Sequence, residues 1–211
     1  MRNFSRLLLF LLLTLMVGCS DPAANKPKAS VSNAGAESAA PKTGGETLTI
    51  SPENSKVDFV ASKVTRSHNG SFKQFNGTID LVNNSAEQSV VTVNIDAGSV
   101  MTDEEQLTGH LKTADFFDVA KYPKATFIST KIEPGTANGA TQMVTGNFDL
   151  HGVKKSISFP ATIQVAPDSV SINAEFSINR KDFGINYPGK ADDLIRDAVV
   201  IKLSSKVPRK K

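Results

Sequence analysis

From Lys56 onward the apolar residues fall at every second position, a period that suits strands and argues against a helical core. Val57, Phe59 and Ala61 alternate with Asp58, Val60 and Ser62, and Val91, Val93 and Ile95 alternate with Thr92, Asn94 and Asp96. Val170, Ile172, Ala174, Phe176 and Ile178 form a third such set. Two-residue spacing places each set on one face of a strand. Turn-forming pairs divide the runs: Asn69-Gly70, Asn76-Gly77, Asn83-Asn84, Pro134-Gly135, Asn138-Gly139 and Pro167-Asp168. Asn-Gly suits a hairpin turn, because both central residues need positive φ. The pattern predicts about eight strands with mostly short connections, an antiparallel meander.

One stretch departs from that period. Thr102-Asp103-Glu104-Glu105 has the cap and acidic residues of a helix start, and Leu107, Leu111 and Ala114 follow at helical spacing. Phe116 and Phe117 are placed to pack this excursion onto the sheet. A long antiparallel sheet with one helix closes most economically as a barrel, which removes exposed edges. Eight strands enclose packed side chains or one slender ligand. A packed two-sheet sandwich without a cavity fits the same alternation. The expected fold class is all-β with one short helical excursion, an eight-stranded antiparallel barrel.

The single cysteine is Cys19. It follows Arg2, Arg6, the apolar run Leu7 to Leu15, and Met16-Val17-Gly18. These are the charged, apolar and cleavage regions of an export signal. The apolar run is shorter than the roughly 20 residues of a spanning helix. A plain secretory signal needs no thiol at that point, whereas a lipoprotein signal does, because the lipid is attached to the sulfur. Ser20 to Gly45 is Ala, Ser, Pro, Lys, Asn and Gly with one Val31, so it has little to bury. A flexible segment of that length reaches roughly 25–30 Å. The expected organisation is a lipoprotein signal peptide at 1–18, a disordered tether at 19–45 from acylated Cys19, and one barrel domain at 46–208.

Several function classes drop out. The formal charge is +3, and removing residues 1–18 takes away Arg2 and Arg6 and leaves +1. A nearly neutral chain offers nucleic acid no basic face. The three histidines, His68, His110 and His151, are scattered and do not show the spacing of a zinc site. Asp115 and Asp118 with His110 could form a base and its orienter, but no nucleophile motif accompanies them. Arg180-Lys181-Asp182 could hold a loop through an Arg–Asp pair, or bring Arg180 to the polar end of a ligand.

Four segments carry a resemblance. His110 to Val119, Tyr122 to Thr130, Gly146 to Lys155 and Phe176 to Ile185 resemble the signature of the YceI family, and Ile195 to Ile201 fits that family's last strand. The similarity runs from about residue 47 to 207 in the same order. The resemblance implies a lipocalin-like, eight-stranded barrel with a lipid-binding interior. It implies an exported bacterial protein that holds a polyisoprenoid chain, such as an isoprenoid quinone precursor, in an apolar pore. The sequence departs from the family in two places. Leu107-Thr108-Gly109 stands where an Arg-Asp pair often precedes the His-Leu of the helix, and the lipobox and tether are absent from many members.

The functional expectation is a membrane-anchored carrier with no catalytic residues and no metal, holding a polyisoprenoid or isoprenoid-quinone-like lipid. The chain has twelve phenylalanines, no tryptophan and two tyrosines, a composition suited to an apolar lumen. Lumen candidates are Phe59, Phe72, Phe75, Val93, Phe116, Phe127, Phe148, Phe176 and Ile178. Cys19 is the lipidation candidate, and Ser20 after it favours the outer membrane over the inner, facing the periplasm. Two other classes stay open: a hydrolase or isomerase acting on a lipid in the pore, and a structural envelope lipoprotein with a filled barrel. The sequence leaves the oligomeric state open, a dimer included.

Overall fold

The alternating runs become the staves of one strongly curved sheet. The computed structural model describes residues 20–35, 45–135 and 139–209. Residues 1–19, which hold the expected signal peptide and Cys19, and residues 36–44, 136–138 and 210–211 lie outside the described residues.

The long strands are β3 (Ser55–Ser62), β5 (Phe75–Val82), β6 (Ser85–Asp96), β8 (Lys124–Pro134), β9 (Gln142–Leu150), β10 (Val153–Val165), β11 (Ser169–Asn179) and β14 (Ala198–Pro208). Their number agrees with the expected count of about eight, and β3, β6 and β11 carry the three alternating runs named above. The additional strands are short: β1 (Ser30–Asn33), β2 (Glu46–Ile50), β4 (Ser67–Phe72) and β7 (Val100–Thr102) in the main sheet, with β12 (Gly189–Lys190) and β13 (Asp193–Leu194) as a separate hairpin. Short strands lack enough alternation to stand out from loop sequence. The sheet order is β2-β5-β6-β8-β9-β10-β11-β14-β3-β4-β7, and its ladders are antiparallel. The sheet curls until β2 comes beside β14. The ladder itself stays open, with β2 and β7 at its two ends.

The helix α1 (Glu105–Leu111) is the expected excursion, but shorter. Glu104 is its N-cap, and Thr102 instead hydrogen-bonds Thr108. Leu111 is buried, while Ala114 lies beyond the helix and is exposed.

Asn83-Asn84 form the expected hairpin turn with φ of 52° and 54°. Asn69-Gly70 and Asn76-Gly77 do not turn; both sit inside strands β4 and β5. The glycines are there for clearance. A Cβ on Gly70 would strike the Phe59 ring, and one on Gly77 would strike the Thr92 carbonyl.

The tether expectation is corrected for residues 20–35. Asp21 to Lys26 make a turn on the outer wall, where Ala23 is buried against Val60 and Val200. The segment then enters the sheet. β10 pairs with β9 through residues 153–161 but with β11 only through residues 162–165, so its first half splays away from β11. β1 fills that gap, antiparallel to β10 from Ser30↔Ser158 to Asn33↔Lys155. Ala29 donates its N–H to the Ser177 carbonyl at 2.9 Å, and Ser177 donates to the Pro27 carbonyl at 2.8 Å. Ala29 joins the main core at 3% exposure. A polar composition does not keep a segment free when neighbouring strands offer it unpaired backbone groups.

Candidate functional site

The inward residues of β3, β5, β6, β8, β9, β10, β11 and β14 enclose a cavity of about 140 Å³ whose wall is apolar. Its volume is below the roughly 300–1,000 Å³ of sites for drug-sized ligands. It is close to the roughly 150 Å³ of an apolar cavity that stays dry and accepts benzene.

Aromatic rings shape it. Phe159 and Phe176 stack with centroids 4.1 Å apart and planes 11° from parallel. Phe127 leans on Phe159 at 5.7 Å, so rings from β8, β10 and β11 touch in series. Phe148 meets Phe183 edge-on at 5.2 Å, and Phe72 meets Phe117 at 5.7 Å. The polar residues bordering the cavity are Ser55, Lys56, Ser204 and Ser205, which are neighbours on β3 and β14. The Ser55 and Ser205 hydroxyls bond each other at 2.8 Å.

Of the expected lumen residues, Phe72, Phe75, Val93, Phe127, Phe148, Phe176 and Ile178 line this cavity. Phe59 does not. It is buried at 6% exposure with its ring over its cross-strand partner Gly70, filling the space a side chain there would take. Phe116 does not either: it packs edge-on with His110 at 4.9 Å and Tyr187 at 5.4 Å, in a cluster beside α1. The expectation covered less than half of the apolar wall; what it left out includes Phe159, Ile157 and Ile163 on β10. Their alternation with Ser156, Ser158 and Thr162 was the available signal.

The three histidines stand outside the cavity, each in its own separate contact. His68 bonds Asp103 at 2.8 Å, His110 bonds Asp115 at 2.7 Å, and His151 bonds the Phe183 carbonyl at 3.2 Å. Among the described residues no group of three or more His, Cys, Asp or Glu could hold a metal. Arg180 serves the loop and not the lumen. It is 5% exposed and donates to the carbonyls of Ile185, Ile195 and Arg196 and to Asp197. Burial lowers its pKa from the ordinary guanidinium value, and the Asp197 carboxylate opposes that shift.

Residues 48–207 match the YceI-like domain. The chain belongs to the YceI family. Its YceI domain therefore begins just after β2 opens, and the strap of residues 20–35 lies outside it. A UPF0312 protein of Pseudomonas putida strain W619 is 34% identical over 126 residues, 57% of this chain and 65% of that protein. A UPF0312 protein of Pseudomonas savastanoi pv. phaseolicola is 34% identical over 140 residues, 63% of this chain and 72% of its own length. Among solved structures, Burkholderia cenocepacia BcnA superposes with a TM-score of 0.64 at 26% identity, covering 72% of this chain and 95% of that one. A polyisoprenoid binding domain from Saccharophagus degradans superposes with a TM-score of 0.62 at 19% identity, covering 79% of this chain and all of that one, 100%. That similarity is one of fold.

Proposed function

We propose that this YceI protein is a membrane-anchored carrier, exported to the cell envelope, that holds a polyisoprenoid or isoprenoid-quinone-like lipid in its barrel. The observation that carries the reading is the apolar cavity walled by seven of the expected lumen residues. The polyisoprenoid binding described for the Saccharophagus degradans domain of the same fold supports it. An acyl anchor on Cys19, facing the periplasm from the outer membrane, completes the reading. The chemistry is burial alone: each methylene-sized group taken from water contributes roughly 0.8 kcal/mol. A chain longer than a short prenyl unit exceeds this volume and requires the wall to yield.

The test is titration of delipidated protein with prenols of increasing length. The carrier reading expects saturable one-to-one binding whose affinity rises with chain length. Length-independent uptake, or none, favours a structural lipoprotein with a filled barrel. One observation favours an enzymatic alternative, the His110–Asp115 hydrogen bond of 2.7 Å. On that reading His110→Ala abolishes turnover of a bound lipid while the lipid stays in place; with no turnover to lose, it is finished.

A further inference from the structure

Two apolar side chains stand out in the open beside each other. Val64 is 53% exposed and Leu194 is 49% exposed, and the Val64 N–H donates to the Leu194 carbonyl at 3.1 Å. They come from two different connections, the one between β3 and β4 and the β12–β13 hairpin. Both are held rigidly. Asp193 accepts from Lys63 at 3.0 Å and from Thr65 at 2.9 Å, and buried Arg180 grips the Ile195 and Arg196 carbonyls beneath the hairpin. An apolar pair this small is ordinary on a protein surface, and it becomes a contact surface only when something brings a partner to it.

The chain brings that partner. Asp21 pairs with Arg196 at 3.5 Å, two residues along from Leu194. Asp21 cannot swing away freely: its side chain accepts from the Ala23 N–H at 2.9 Å, and Ala23 is buried on Val60 and Val200. Farther along, Lys26 pairs with Glu175 at 2.8 Å and β1 is stitched into the sheet. Along the sequence, Cys19 is two residues before Asp21, which is fixed on this end of the barrel. Two extended residues span at most about 7 Å. With the Cys19 anchor of the proposed function in the bilayer, the Arg196 loop is within that distance of the interface.

We propose that the end of the barrel bearing Val64 and Leu194 docks on the lipid bilayer, with the strap as a short, stiff mount. The proposal rests on the anchor in the carrier reading. Docking is apolar in character, because the charges at the tip balance: Lys63 pairs with Asp193, Arg66 with Glu104 and Lys181 with Asp197, and Lys190 and Asp192 of the hairpin carry opposite charges. It is accordingly indifferent to the anionic lipid content of the membrane. The same end carries α1, whose N-cap Glu104 pairs with Arg66, and the loop that starts two residues beyond cavity-lining Ile178.

The experiment uses the full, exported chain in phosphatidylcholine vesicles, with an environment-sensitive fluorophore on Leu194→Cys or, at the opposite end, on Asp168→Cys. Acylated Cys19 has no free thiol and takes no label. Mass spectrometry of the N-terminal peptide and co-sedimentation with vesicles are read on the same samples. The expected result is a blue-shifted probe at position 194 that is quenched by nitroxide-labelled lipid, a water-exposed and unquenched probe at position 168, and no change on adding anionic lipid. An acylated, sedimenting protein with both probes in water overturns the docking and leaves the anchor standing. An unmodified Cys19 overturns the anchor and the docking with it.

Discussion

Removing one ring of the stacked pair separates a ligand cavity from an ordinary core. Phe176 is 2% exposed and faces Phe159 at 4.1 Å. Phe176→Ala removes that contact, and such a substitution costs about 3–5 kcal/mol in a core that cannot collapse. At about 2–4 °C per kcal/mol for a domain of this size, the melting temperature falls by about 6–20 °C. The hole opens directly into the 140 Å³ cavity, so a short prenol can occupy the enlarged space. A ligand at a hundredfold excess over its Kd returns about 2.7 kcal/mol. Phe116→Ala is the control, because Phe116 is also buried, at 7% exposure, but packs beside α1 away from the cavity. The assay is thermal unfolding of both variants with and without geraniol. The expectation is that Phe176→Ala regains more of its lost stability with geraniol than Phe116→Ala does. Equal recovery of the two variants, or none in either, refutes the assignment of this cavity as the binding site.

Three further outcomes follow from the structure. Arg180→Lys cannot reach the three carbonyls and Asp197 together, so at about 1–3 kcal/mol per buried group left unpaired it lowers the melting temperature, while prenol affinity of the folded protein stays unchanged in titrations. Lys26 holds the pKa of Glu175 below the usual carboxylate range. Its contribution to holding the strap is thus present above the unfolded pKa of about 4.3 and is lost as pH falls through the lower folded value. Hydrogen exchange at the Ala29 amide, corrected for intrinsic rates, should speed up across that acid window in wild type and show no such transition in Glu175→Gln. Deleting residues 20–35 uncovers the edge of β10 from Lys155 to Ser158 and the Ser177 edge of β11. Light scattering should then show self-association through these edges; a variant that remains as monodisperse as the intact chain would show that the edges are protected otherwise.

The eight long strands were legible because a half-buried strand must alternate, and Val170 to Ile178 could do little else. Part of the lumen was legible for the same reason, since one face of each such strand points inward. What failed depended on neighbours that the local pattern does not name. Phe59 has the alternation of a lumen residue, but Gly70 across the ladder leaves a space that its ring fills. Asn69-Gly70 and Asn76-Gly77 have turn chemistry, yet at both places the glycine is needed for a close approach inside the sheet. Phe116 was placed with the excursion, and its partners His110 and Tyr187 are brought together only by the loop that Arg180 holds. Residues 20–35 are the clearest case. Their composition gives no reason to fold, and the reason lies in the splay of β10 from β11, more than a hundred residues away.

The most direct test of the carrier account is native mass spectrometry of the protein purified after export, followed by lipid extraction. The account predicts a stoichiometric adduct that releases a series of prenyl-chain fragments. A clean apo mass, in a protein that also refuses added isoprenoid quinone, would contradict it.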